Sequence, residues 1–206
     1  MKEVVVINYG SGNIYSIVSA LNKLTYKVKV SERPNEIIKS DIVILPGVGS
    51  YNYAMNRLIN MNINEALSIF LKKGGLLIGI CLGYQVLFEE SEEFGNTLGL
   101  GILKGKVVSL KKFKNDIYKI PNIGWRPLIK PNGFSFLNYK TGSMVYFVHS
   151  FVPVSLDEKI VSSYIKYGNY RIHSSIHNGQ VAGFQFHPEK SGHIGLQIID
   201  SVIKNF

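Results

Sequence analysis

The segment Leu76-Leu77-Ile78-Gly79-Ile80-Cys81-Leu82-Gly83 constrains this chain more than any other. Its apolar run reads as a strand buried on both faces. The stretch after it, Tyr84-Gln85-Val86-Leu87-Phe88-Glu89, reads as a helix. Between the two sits Cys81, the only cysteine in the chain, in a Gly-x-Cys-x-Gly turn. On α/β sheets that form puts a nucleophile on a strained, exposed corner. The flanking glycines are a steric requirement, because a Cβ on either side would crowd the turn. The motif predicts an α/β fold with a reactive thiol where a strand turns into a helix.

The neighbouring sequence agrees. Residues 3–7 read as a buried strand, 26–30 as a second, and Ile42-Val43-Ile44-Leu45 as a third that ends in Pro46-Gly47-Val48-Gly49-Ser50. Ser11 is placed to cap a helix that runs to Leu24. A short helix is expected at 34–40, and helical patterns continue to Lys73. This alternation is the signature of a parallel sheet with helices on both faces. From Leu100 the rhythm changes to short β runs at 105–110, 118–121, 144–148, 160–165, 170–177 and 180–186, before a last helix from 192 to 204. No repeat, low-complexity tract or Pro/Gly/Ser-rich linker interrupts the chain. Residues 1–206 are therefore expected to form one domain, a parallel core sheet with an antiparallel β addition.

Composition limits the function classes. With 46% hydrophobic and 18% charged residues the chain has an ordinary globular composition. No apolar run approaches the roughly 20 residues of a membrane helix. The N-terminus begins a strand at once and lacks a signal-peptide layout, so a cytoplasmic location is expected. One cysteine forms no internal disulfide, which fits a reducing compartment. The net charge of +9 comes from scattered lysines with no basic-aromatic motif, so nucleic-acid binding is not expected. Gly10-Ser11-Gly12-Asn13 lacks the spacing of a dinucleotide loop and any Walker lysine, so nucleotide binding is rejected. No set of histidines has metal-ligand spacing, and neither a metal nor a cofactor is expected.

The chemistry needs a base for the thiol. Phe184-Gln185-Phe186-His187-Pro188-Glu189 reads as a strand ending in a histidine, with a carboxylate two residues on. The other histidines, at 149, 173, 177 and 193, have no carboxylate at short spacing. Cys81, His187 and Glu189 are the parts of a nucleophile, base and orienting-carboxylate triad. A helix start after Cys81 would favour thiolate, and its N–H groups, including that of Leu82, would face a developing oxyanion. The 46–50 loop reads either as a plain turn or as a glycine loop that completes the oxyanion hole. The acidic run Glu89-Glu90-Ser91-Glu92-Glu93 reads as a solvated helix end with at least one member close enough to touch a substrate.

These pieces together resemble the class I, triad-type glutamine amidotransferases. The resemblance covers nearly the whole chain and rests on Pro46-Gly47-Val48-Gly49, Gly79-Ile80-Cys81-Leu82-Gly83-Tyr84-Gln85 and His187-Pro188-Glu189. Within that family, Tyr9-Gly10-Ser11-Gly12-Asn13, Pro121-Asn122-Ile123-Gly124-Trp125, Tyr146-Phe147-Val148-His149-Ser150 and His187-Pro188-Glu189-Lys190-Ser191-Gly192 are similar to the glutaminase subunits of imidazole glycerol phosphate synthases. The resemblance implies a flavodoxin-like core and glutamine hydrolysis through a glutamyl thioester. Cys81 would attack, His187 would protonate the departing ammonia, and Glu189 would orient His187. Gly49 and Leu82 would serve the oxyanion. Gln85, Glu93, His149 and Ser150 would hold the substrate. Asn13, Trp125, Arg126 and Lys190 would face a TIM-barrel cyclase partner that receives the ammonia in histidine biosynthesis. A length of 206 residues leaves no room for an acceptor domain, which agrees with two subunits.

The sequence departs from the family pattern at a few positions. Asn8 stands where aspartate is usual, Asn122 and Arg126 replace a histidine and an asparagine, and Phe151 replaces a tyrosine. None belongs to the triad. Because 121–126 resembles partner-facing surface, a second reading stays open. In it the chain is a paralogue that supplies ammonia to an amidotransferase of bacterial surface-sugar biosynthesis.

Overall fold

Strand alternation decides the layers. Val4 and Val6 lie on one face of the first strand and Val5 and Ile7 on the other, and all four are buried. A strand covered on both faces needs helices on both sides. The computed structural model describes residues 2–113, 119–131 and 137–206. Its first part runs β1 (Glu3–Ile7), α1 (Ile14–Lys23), β2 (Lys27–Ser31), α2 (Pro34–Lys39), β3 (Ile42–Leu45), α3 (Tyr51–Asn60), α4 (Ile63–Lys72), β4 (Leu76–Ile80) and α5 (Leu82–Gln85). The second part runs β5 (Glu90–Ser91), β6 (Thr97–Leu98), β7 (Lys106–Ser109), β8 (Asn122–Pro127), β9 (Met144–His149), β10 (Phe151–Val154), β11 (Val161–Tyr167), β12 (Tyr170–Asn178), β13 (Val181–Phe184) and α6 (Gly192–Asn205).

The main sheet has the order β11-β12-β13-β4-β3-β1-β2. The block β13-β4-β3-β1-β2 is parallel throughout, and β12 and β11 extend it antiparallel. Ile17 and Leu21 of α1 and Ile198, Ile199 and Val202 of α6 pack on the face of Val4, Val6 and Ile44. Side chains of α2 to α5 pack on the face of Val5, Ile7, Val43 and Leu45. The expected α/β architecture is therefore present. The antiparallel addition is more divided than expected. Two of its strands join the main sheet, a second sheet has the order β10-β7-β5-β6, and β8 pairs with β9 alone.

Local differences from the sequence reading have identifiable causes. Asn13, not Ser11, caps α1, its side chain accepting the Ser16 N–H at 3.3 Å. Ser11 is bonded to Val48 instead. The helix after Cys81 is a single turn and ends well before Glu89. The acidic run is not a helix end. Glu89 accepts the Gly105 N–H at 2.9 Å, Glu92 that of Ser109 at 2.8 Å and Glu93 that of Tyr51 at 2.6 Å. These carboxylates satisfy backbone donors left unpaired at β7, in the turn before it and at the start of α3. β8 and β10 were not anticipated as strands. The run at 118–121 lies partly outside the described residues.

Candidate active site

Cys81 occupies the corner between β4 and α5 with φ 54° and ψ −110°. A non-glycine residue in that region is strained, and such strain persists only where the surroundings over-determine it. Here they do. The Cys81 N–H donates to the Phe184 carbonyl at 2.7 Å, which ties the corner to the end of β13. A Cβ on Gly83 would lie 1.9 Å from the Leu45 carbonyl oxygen, and one on Gly79 2.8 Å from the Gly83 oxygen. Both flanking glycines are thus required by close backbone approach, as the motif predicted.

β13 ends beside β4 and delivers His187 to the same end of the sheet. The His187 N–H donates to the Tyr146 carbonyl at 2.9 Å. Ser191 adds a second fastening, its hydroxyl donating to the His187 carbonyl at 2.6 Å and accepting the Tyr146 N–H at 2.9 Å. His187 Nδ1 lies 2.8 Å from Glu189 Oε1, with both side chains buried. Nε2 meets no oxygen or nitrogen partner, and the Cys81 thiol is the group that acts on it most strongly. Burial opposes the charged imidazole, but Cys81 and Glu189 outweigh it and push His187 up to about 10. The imidazolium is therefore the favoured form of His187.

The residues expected to bind substrate come together around a cavity of about 290 Å³. Gly49, Cys81, Leu82, Gln85, Glu93, His149 and Ser150 all line it. A larger groove of about 580 Å³ opens between α3, α4 and residues 99–102, and it contains no triad member. In the smaller cavity the Val148 carbonyl is 3.8 Å from Cys81 Sγ. Gln85 is not a free substrate ligand. Its amide nitrogen donates to the Phe151 carbonyl at 2.9 Å and to Gln185 Oε1 at 3.0 Å. Gln185 in turn makes a long N–H···S contact of 4.0 Å with Cys81. Sequence reasoning missed Gln185 and Ser191. Both stand inside motifs already singled out, but nothing in their spacing marks them.

Of the two expected oxyanion donors, Gly49 lines the cavity, while Leu82 and the loop residue Val48 direct their N–H groups elsewhere. The Leu82 N–H makes a long bond of 3.4 Å to the Gly47 carbonyl, and the Val48 N–H donates to Ser11 Oγ at 3.1 Å. Because α5 is a single turn, its dipole is a weaker source of thiolate stabilisation than a full helix would be. Of the expected partner-facing residues, Trp125 and Lys190 are exposed, while Asn13 and Arg126 are half-buried. Asn13 caps α1, and Arg126 Nε donates to Asn122 at 3.0 Å. Among the described residues no cluster of acidic, histidine or cysteine side chains is arranged to hold a metal, and no helix is long and apolar enough to cross a membrane.

A doubly wound parallel sheet with a thiol on a strained corner and a buried His–Glu pair at the neighbouring strand end defines a thiol-dependent amide hydrolase. The family model for class-I glutamine amidotransferases matches residues 5–202, and the chain belongs to that family. Its relatives include a Bacillus subtilis protein named imidazole glycerol phosphate synthase subunit HisH, 41% identical over 201 residues, or 97% of this chain and 94% of the relative. The protein of the same name from Aquifex aeolicus is 42% identical over 199 residues, covering 96% of this chain and 94% of that one. Among solved structures, PurLQS from Thermotoga maritima superposes with a TM-score of 0.75 at 23% identity, covering 100% of this chain and 99% of that one. At that identity the likeness concerns the fold.

Proposed function

We propose that this chain is the glutaminase subunit of an imidazole glycerol phosphate synthase. It hydrolyses glutamine and passes ammonia to a TIM-barrel cyclase subunit in the cytoplasm. The observation that carries the reading is the buried His187–Glu189 pair beside Cys81, whose own position opens into a pocket lined by every expected substrate residue. Full-length relatives with that name support the partner and the pathway.

The chemistry follows from the geometry. The Cys81 thiolate attacks the side-chain amide carbon of glutamine, and the amide oxygen takes the negative charge. His187, held protonated, gives its proton to the amide nitrogen as the C–N bond breaks. Ammonia leaves and a glutamyl thioester remains on Cys81. Water then attacks the thioester, losing a proton to His187, and glutamate is released with the thiolate restored. Glu189 keeps the ring oriented and compensates its charge through both steps. Glu93, His149 and Ser150 wall the amino-acid end of the substrate, while Gln85 holds that wall in place.

The test is glutamate release from glutamine by this chain mixed with the cyclase from the same cell, with and without a ribulosyl substrate analogue. Strong stimulation by the complex with its ligand is the expected result. Silence with both proteins folded would overturn the assignment and direct attention to an acceptor amidotransferase acting on sugars.

A further inference from the structure

β8 and β9 carry a chain of hydrogen bonds that the triad does not use. Arg126 Nε donates to Asn122 Oδ1 at 3.0 Å. Asn122 Nδ2 lies 2.9 Å from His149 Nε2, and His149 Nδ1 lies 2.9 Å from the Phe151 carbonyl oxygen. That carbonyl also accepts Gln85 Nε2. Asn122 is fully buried and His149 nearly so.

Donor and acceptor roles run one way along this chain. A guanidinium can only donate, so the Asn122 oxygen must face Arg126. The Asn122 amide nitrogen then faces His149 and donates, which makes Nε2 the acceptor. The ring proton therefore sits on Nδ1, where it meets the Phe151 carbonyl. A flipped Asn122 would put a donor against Arg126 and leave Nδ1 without a proton opposite a carbonyl oxygen. Burial lowers the His149 pKa to about 4 against the Phe151 hydrogen bond, with His187 and Arg126 adding to the depression, so the ring stays neutral in its single tautomer.

The segment fastened in this way walls the pocket. At one end the Val148 carbonyl meets the thiol at 3.8 Å, and at the other the Phe151 carbonyl holds Gln85. His149 and Ser150 between them line the cavity. Asn122 and Arg126 are two of the positions where the sequence departs from its family's pattern, and they depart together as one hydrogen-bonded pair.

We propose that Arg126 is a positioning residue for glutamine: through Asn122 it fixes the His149 ring in its Nδ1–H form and so sets the backbone of residues 148–151. The proposal rests on the glutaminase reading for its kinetic arm only. Arg126→Met keeps the aliphatic stem and removes the donors. Arg126→Lys restores a donor-only cation.

The first readout is the pair of 15N shifts of the His149 ring in the free full-length chain, assigned with His149→Gln. The unaltered chain is expected to show a protonated Nδ1 and a bare Nε2. Arg126→Met is expected to bring the two shifts together, and Arg126→Lys to separate them again. The second readout is steady-state glutaminase kinetics at saturating cyclase, where loss of one such bond corresponds to a rise in KM of roughly 2–10-fold with a smaller change in kcat. Unchanged ring shifts in Arg126→Met would overturn the proposal. So would a shifted tautomer with unchanged KM. Absence of turnover in the unaltered complex would instead count against the glutaminase reading, and the ring shifts would still decide whether Arg126 sets the tautomer.

Discussion

Ser11 and Val48 are bonded to each other twice: the Ser11 hydroxyl accepts the Val48 N–H at 3.1 Å and donates to the Val48 carbonyl. One side chain thus holds both polar groups of a residue in the loop next to the nucleophile. An N–H that faces Ser11 does not face an oxyanion on Cys81. Losing one donor from an oxyanion hole typically costs about 10²–10³ in rate, so a loop latched in this way is expected to turn over glutamine slowly. Ser11→Ala removes the latch. With two net hydrogen bonds near 1 kcal/mol each, the partner-free glutaminase rate is expected to rise by up to roughly 30-fold while the rate of the stimulated complex changes little. Glutamate release by the isolated chain measures this, and an unchanged or lower rate would show that Ser11 does not hold the loop back.

The His187–Glu189 pair gives a second prediction. Glu189 contributes to raising the imidazole and fixes which nitrogen faces the thiol. Glu189→Gln keeps the size and an acceptor but removes the charge. Its kcat should fall by about 10²–10⁴, the usual range for general acid–base assistance. Near-ultraviolet circular dichroism should stay unchanged. A variant with full activity would remove Glu189 from the triad.

Much of this architecture could be read from the sequence because local pattern and tertiary role agree there. The buried strands at 42–45 and 76–80 are continuous apolar runs, and the glycines around Cys81 mark a backbone contact that only glycine allows. β8 escaped because its pattern is inverted. Ile123 and Trp125 are exposed while Asn122 is buried and Arg126 half-buried. A periodicity argument assumes apolar residues face inward, and here the inner face carries the His149 network. The Ser11 cap failed for a related reason. Its hydroxyl had a helix terminus and a distant loop to choose between, and only the fold brings Val48 within reach. The acidic run was misread because its carboxylates bond to backbone amides of β7, its flanking turn and α3, partners that sequence spacing cannot reveal.

His149 makes stability depend on pH in a way that can be signed. Its pKa is lowered from 6.5 to about 4, mainly by burial. Below 6.5 the unfolded chain binds a proton that the folded chain refuses, so stability present above 6.5 is lost as the pH falls through 4. The full effect is on the order of 3 kcal/mol. His187 has the opposite sign, since its raised value contributes stability below 6.5 that is lost as pH climbs toward 10. Half-buried His177 is also lowered and adds to the acid limb, whereas the lowered carboxylates of Glu36, Glu92 and Glu158 act only below their ordinary range. Urea unfolding between pH 6.5 and 5 should therefore show declining stability in the unaltered chain and a shallower decline in His149→Gln. Equal slopes would mean that His149 titrates normally.

Trp125 carries the last prediction. The residue is 48% exposed and its ring meets Tyr146 edge-on with centroids 6.1 Å apart. Ile123 beside it and Met144 on β9 are also exposed. The inner positions of β9 join the core through Val145 and Phe147, but those of β8 are Asn122, Gly124 and Arg126, so the outward Ile123 and Trp125 are poorly explained by the folding of the ribbon itself. A docked subunit would cover that face, and a tryptophan at its centre is a residue type that dominates such contacts. Trp125→Ala should weaken cyclase binding by about 2 kcal/mol, or roughly 30-fold in affinity, with unfolding free energy changed by about 0.5 kcal/mol or less. Titration calorimetry and urea melts on the same samples separate the two effects. Large destabilisation with unaltered affinity would assign Trp125 to the packing of the β8–β9 ribbon and remove it from the interface.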